Sequence, residues 1–197
     1  MHSLKQPLMD LEFHPLTSKR WSDLEALFGE RGACGGCWCM WWRLKRSQFN
    51  KQKGQGNKKA LKKIVDSREI PGILAYANGQ PIAWCSVAPR ETYPVLERSR
   101  ILKRIDDEPV WSIVCFFVLK HFRHKGITVR LLRAAVEYVS KQGGKIVEGY
   151  PIEPKKGQMP DVFAWTGLIA AFRKAGFVEV LRRSKTRPIM RYSLGEK

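Results

Sequence analysis

The stretch from Val110 to Tyr150 constrains this chain most. An apolar segment, Val110-Trp-Ser-Ile-Val-Cys-Phe-Phe-Val-Leu119, runs into Lys120-His-Phe-Arg-His-Lys-Gly126. The amphipathic stretch Ile127–Val139 follows, and after Gly143-Gly144 comes a second short apolar segment, Lys145–Tyr150. Strand, helix and strand in succession imply a right-handed crossover that leaves the two strands parallel. The joint between the first strand and the helix carries the chemistry. A helix start leaves its first N–H groups unpaired and bears a partial positive charge, which makes it an anion site. Lys120, Arg123, His124 and Lys125 surround this one, and Gly126 lets a ligand approach the backbone without meeting a Cβ. Several successive N–H groups offered together suit a pyrophosphate.

The rest of the chain supplies a mixed sheet around that unit. Leu11–Thr17 reads as a first strand and Ser22–Phe28 as a short helix, with Ser22 and Glu25 spaced as a capping box. Gln48–Asn57 reads as a polar loop, and Asn57 as the cap of a helix to about Ser67 with Leu61, Ile64 and Val65 on one stripe. Gly72–Ala77 and Gln80–Val87, joined by Asn78-Gly79, are the clearest hairpin. Thr92–Asp107 reads as a charged connector. A proline-rich loop from Pro151 to Pro160 precedes a helix at about Phe163–Lys174, and Phe177–Arg183 with Pro188–Leu194 form a closing hairpin. The hairpins make most of the sheet antiparallel, with helices on its faces.

At 197 residues and 44% hydrophobic content the chain is expected to form one domain, residues 1–197, with a full core. No apolar run approaches the roughly 20 residues of a membrane helix. The start, Met1-His-Ser-Leu-Lys-Gln-Pro7, lacks the apolar core of a secretory signal, so no membrane is expected as a partner. Five cysteines with no mark of secretion point to reduced thiols and a cytoplasmic location. The net charge of +18 is concentrated between Arg31 and Val65, where no acid occurs, and again from Arg182 to Arg191. Such patches attract polyanions, so nucleic acid or ribosome is admitted as a non-specific partner. No aromatic-interleaved RNA motif or recognition helix accompanies them.

The element order and the turn resemble the GNAT superfamily of acyl-CoA-dependent N-acetyltransferases. That family places Arg/Gln-x-x-Gly-x-Gly/Ala at a helix head, and Arg123-His-Lys-Gly126-Ile-Thr128 matches it except for the threonine at the last small position. Ala171-Phe-Arg-Lys-Ala-Gly-Phe177 is similar to the family's second signature. The resemblance implies a mixed α/β fold, a mostly antiparallel sheet of about seven strands flanked by about four helices. It implies acetyl-CoA as co-substrate, a small-molecule or peptide amine as acceptor, and a homodimer as one option.

The same resemblance assigns the site. Arg123, His124, Lys125, Gly126, Ile127 and Thr128 would hold the pyrophosphate. Cys115, Phe116, Phe117 and Val118 would pair with the pantetheine arm, leaving one N–H for the thioester carbonyl. A fixed donor there stabilises the charge that develops during attack. Phe172 stands where many relatives carry a proton-donating tyrosine, so an acid would have to come from elsewhere. Candidates for proton transfer are Glu148, Glu153 and Asp161, with Tyr150 as a further acid. Trp38, Trp41 and Trp42 lie in the segment that overhangs the acceptor end in this architecture and are candidates for an apolar acceptor wall. Cys34-Gly-Gly-Cys37-Trp-Cys39 has the spacing of half a zinc site, but no second pair follows, and packing among tryptophans is the expected role; no metal is expected.

Overall fold

A computed structural model describes residues 10–154, 160 and 163–195. Seven strands form one sheet in the order β1-β2-β3-β4-β5-β7-β6. They are β1 (Glu12–Pro15), β2 (Gly72–Ala77), β3 (Gln80–Pro89), β4 (Trp111–Val118), β5 (Ile146–Gly149), β6 (Val178–Arg182) and β7 (Pro188–Ser193). Only β4 and β5 pair in parallel, as the crossover through α5 (Ile127–Lys141) requires. The apolar sequence of β4 fits its place in the middle of the sheet, where Ile113 and Val114 are fully buried.

Two apolar layers cover the sheet. On one face α5 lays down Ile127, Leu131, Leu132, Ala135 and Val139, joined by Ile169 and Phe172 of α6 (Ile169–Lys174). On the other lie α1 (Trp21–Phe28), α3 (Gln55–Asp66) and the tryptophan-rich loop between them, packed on Trp84 and Val114. The periodicity of each helix is what selects these faces, because residues three and four apart share one side.

Several local expectations differ from what forms. Ser22 lies inside α1 and makes no cap: a 3₁₀ turn over Ser18–Arg20 leads straight into the helix, and no side chain caps it. The stretch read as a loop holds a short helix, α2 (Arg46–Lys51), anchored by buried Phe49. Asn57 is an interior residue of α3, not its cap; fully buried, its side-chain N–H donates to the Gly36 carbonyl at 3.0 Å. The connector contains α4 (Pro94–Glu97). The last helix starts at Ile169, six residues later than its pattern suggested, because Ala164–Gly167 turns toward the sheet.

Candidate active site

Gly126 heads α5 in the left-handed region, at φ 74°, and a Cβ added there would meet nothing within 4 Å. The backbone thus turns into the helix with an open approach in front of it. The Gly126 carbonyl accepts from Val129 and Arg130, at 3.1 and 3.3 Å, which leaves the amides of Ile127 and Thr128 in the unpaired first turn. Arg123 fastens the turn to the strand end: its Nε donates to the Val118 carbonyl at 3.0 Å. A cleft of about 830 Å³ opens here, lined by Arg123, His124, Gly126, Ile127 and Thr128. Lys125, expected among them, is outside the lining; its ammonium sits 5.7 Å from the centre of the Phe122 ring.

The cleft continues along β4, where Cys115, Phe116, Phe117 and Val118 form its wall. The register explains why this edge is open. β4 pairs with β5 only from Trp111 to Ile113, while its antiparallel partner β3 follows it to Val118. Val114 bulges out of the β3–β4 ladder, between the pairs Val87–Ile113 and Ser86–Cys115. Beyond the bulge the two parallel strands splay. The Phe116 N–H points into the splay and donates to the Trp165 carbonyl at 2.7 Å. Strand alternation aims the Val118 N–H the same way. Of the two amides on this edge, that of Phe116 is therefore held by the chain itself.

Aromatic rings close the other end. Trp41, Trp42, Phe49 and Trp165 line the cleft, with ring centres 5.2 Å (Trp41–Phe49), 6.3 Å (Trp41–Trp165) and 5.9 Å (Trp42–Trp165) apart. Arg46 lies 3.9 Å above the Trp41 ring. Trp38, expected in this wall, is instead core: it is 4% exposed, stacks on Trp21 at 6.0 Å and packs against Phe28. Phe49 and Trp165 were not singled out by sequence; one is a lone aromatic in a polar stretch, and the other precedes a glycine turn whose inward course only the fold reveals.

Three of the expected proton-transfer residues, Glu148, Tyr150 and Glu153, sit away from this cleft. Glu148 of β5 is 1% exposed, and both its oxygens are engaged. Oε1 accepts from Arg90 at 2.9 Å and from the Tyr150 hydroxyl at 2.6 Å, and Oε2 accepts from Arg191 at 2.7 Å. Arg191 is its cross-strand partner in the β5–β7 register. Arg90 is bound in turn to Glu97 and to the Leu102 carbonyl. Burial, and then the Glu148 charge, push the Tyr150 hydroxyl well above its ordinary pKa, so it holds its proton. Glu153 is paired with Arg182. None of Glu148, Tyr150 and Glu153 lines the cleft, and Asp161 lies outside the described residues. A buried carboxylate requires cationic partners, and Glu148 has two; by geometry Glu148 and Glu153 are structural ion pairs and Tyr150 a neutral hydrogen-bond partner of the first. Phe172 is fully buried against Phe116 and Phe177, with no access to the cleft.

Cys34, Cys37, Cys39 and Cys115 all border the cleft. Cys39 Sγ lies 3.0 Å from Cys115 Sγ and accepts the Trp84 indole N–H at 3.1 Å. Its hydrogen bond to Cys115, reinforced by burial, pushes the Cys39 thiol up, and its bond to Cys37 does the same there. The Cys37 and Cys39 thiols are therefore poor nucleophiles at neutral pH. Among the described residues no group of three or more His, Cys, Asp or Glu is placed to hold a metal ion. None of the described helices is long and apolar enough to cross a membrane.

The fold has many solved counterparts. The PaiA N-acetyltransferase of Thermoplasma acidophilum, in complex with coenzyme A, aligns over 94% of this chain and 100% of its own, with 16% identity and a TM-score of 0.54. A GNAT-family acetyltransferase from Streptococcus agalactiae covers 95% and 96%, with 12% identity and a TM-score of 0.55. The aminoglycoside N-acetyltransferase AAC(6')-Iy in complex with CoA covers 90% and 96%, with 14% identity and a TM-score of 0.52. No curated protein matches the sequence. The sequence profile described as "Acetyltransferase (GNAT) family" matches residues 38–150, which span the tryptophan loop, β4, the glycine turn and β5. The protein belongs to the GNAT acetyltransferase family.

Proposed function

We propose that this protein transfers an acetyl group from acetyl-CoA to a primary amine by direct attack. The observation that carries the reading is the continuity of one cleft from the Gly126 turn, along the splayed edge of β4, to an aromatic wall. The residues fit the co-substrate at each point. A Cβ-free approach and two unpaired amides face the place of the pyrophosphate, with Arg123 and His124 beside it. Acetyl-CoA supplies a thioester carbon that an amine attacks while the thiolate leaves. The β4 amides are the donors available along it, Val118 to the arm beside the turn and Phe116, in mid-strand, to the carbonyl once the Trp165 carbonyl gives way. The cleft holds both reactants side by side, which contributes more than any single proton transfer.

One observation favours a second reading, an acyl-CoA-binding module without turnover. The Phe116 amide is already bonded to Trp165, and Phe172 can donate no proton. Incubation with acetyl-CoA and a broad panel of amines, followed by mass analysis for acetylated product, separates the two. Product from any amine above the no-enzyme control supports transfer. Saturable acetyl-CoA binding with no product from the whole panel supports the module.

A further inference from the structure

The acceptor end of the cleft is built unlike a site for a cationic amine. Its position follows from β4. Cys39 of the tryptophan loop abuts Cys115 in mid-strand, whereas the pyrophosphate turn follows the strand end at Val118. Three residues of strand separate them, about 10 Å at the usual rise. The link between α2 and α3 is tied to that same loop, since the Gly54 N–H donates to the Gly36 carbonyl at 3.0 Å. Lys53, next to this link, lines the cleft with its ammonium 6.0 Å from the centre of the Phe49 ring.

Two properties coincide at this end. The surface is aromatic, from Trp41, Trp42, Phe49 and Trp165, whose rings meet edge-on or tilted. Its charge is positive: among the described lining residues the charged ones are cations, Lys53 here and Arg123 and Lys174 elsewhere. The buried acid nearest in sequence logic, Glu148, is consumed by Arg90 and Arg191. Among the described lining residues a polycationic acceptor would meet cations and no carboxylate, whereas an anion would be drawn in. An aromatic ring would find offset and edge-on partners. An arylamine is also neutral at pH 7, so it can attack without a carboxylate to take a proton first.

We infer that the acceptor is an aromatic amine carrying an anionic group, its ring against Trp41, Trp42 and Trp165 and its anion toward Lys53. The inference rests on the acetyltransferase reading above. The amine nitrogen bonds to the acetyl carbon, the carbon–sulfur bond breaks, and the amine's surplus proton ends on the coenzyme A thiol. Every atom comes from acetyl-CoA and the amine.

The test uses the full chain with acetyl-CoA and four amines: 4-aminobenzoate, L-tryptophan, tryptamine and spermidine. The first two carry an aromatic ring and a carboxylate, with an arylamine and an α-amine respectively; tryptamine keeps the ring and loses the carboxylate; spermidine is a polycation. At least one aromatic acid should be turned over with kcat/KM roughly tenfold above tryptamine and spermidine. Preference for 4-aminobenzoate identifies an arylamine acceptor, and preference for L-tryptophan an α-amine acceptor. Lys53→Glu, at an exposed position, should reverse the order of L-tryptophan and tryptamine while leaving the melting-temperature rise with acetyl-CoA unchanged. Turnover of spermidine or tryptamine ahead of both acids overturns the inference. So does turnover of other amines with both acids refused. No acetyl-CoA shift, or no product from a broad amine panel, overturns instead the acetyltransferase reading beneath it.

Discussion

Replacing Glu148 with glutamine separates a structural carboxylate from a proton acceptor. The side chain is 1% exposed and takes three hydrogen bonds, two of them from guanidinium groups. Removing its charge leaves two buried cations short of a counter-ion, a loss that costs about 3–5 kcal/mol when a buried pair is broken. The lower end applies here, because Arg191 keeps both Asp106 oxygens at 2.6 and 2.9 Å and Arg90 keeps Glu97 at 2.7 Å. For a chain of this size about 3 kcal/mol lowers the melting temperature by about 6–12 °C. The amide retains the shape, so the variant should fold at low temperature and keep the pH dependence of its acetylation rate. Thermal melts and a pH–rate profile at 15–20 °C below the variant's own midpoint, roughly chosen so that both proteins are folded, check this. An unchanged midpoint with loss of the ascending, acidic limb of the rate profile would refute the structural reading and make Glu148 the proton acceptor.

Other expectations follow from neighbouring geometry. Phe172 fills space that a Cβ on Gly149 would enter, 2.2 Å from the ring, so Phe172→Ala should cost about 3–5 kcal/mol in a denaturant melt, and Gly149→Ala should also destabilise. Trp41→Ala removes a ring from the aromatic wall and should raise the acceptor KM by about 2–12-fold while leaving the KM for acetyl-CoA unchanged. The Arg191 guanidinium holds Asp106 below its usual pKa, and Arg182 does the same for Glu179. The folded state therefore binds protons less readily than the unfolded chain. The stability from these pairs is present above the unfolded carboxylate pKa of about 4 and is lost as pH falls through the lower folded values. Melts at pH 6, 4.5 and 3, roughly spanning that window, should fall mainly between the last two.

The parts of the fold written in local pattern were readable in sequence. The β2–β3 hairpin is set by an Asn-Gly pair between apolar runs, and the β4–α5–β5 crossover by an apolar strand, a glycine turn and a helical stripe. The glycine turn at the head of α5 was readable for the same reason, since it is set by consecutive residues. What depended on distant partners was not. Glu148 reads as an exposed acid by residue type, yet its fate is fixed by Arg90, just past the end of β3, and by Arg191 on β7. Trp38 and Trp41 are three residues apart in one aromatic run, but only the path of the loop decides that one enters the core and the other the cleft. Asn57 has the chemistry of a cap and serves instead as a buried tie to the Gly36 carbonyl, which no window around it could reveal.

The most direct test of the account is a thermal-shift titration with acetyl-CoA of the wild-type protein and of Gly126→Asp. Binding to the folded state alone at a hundredfold excess over Kd adds about 2.7 kcal/mol, a rise of about 5–11 °C for a chain of this size. The variant forces a side chain into a left-handed position and places a negative charge before the anion site, so it should melt somewhat lower and show little or no rise. A wild-type rise that disappears in the folded variant is the result the account predicts. No wild-type rise at saturating acetyl-CoA, or an equal rise in the variant, contradicts it.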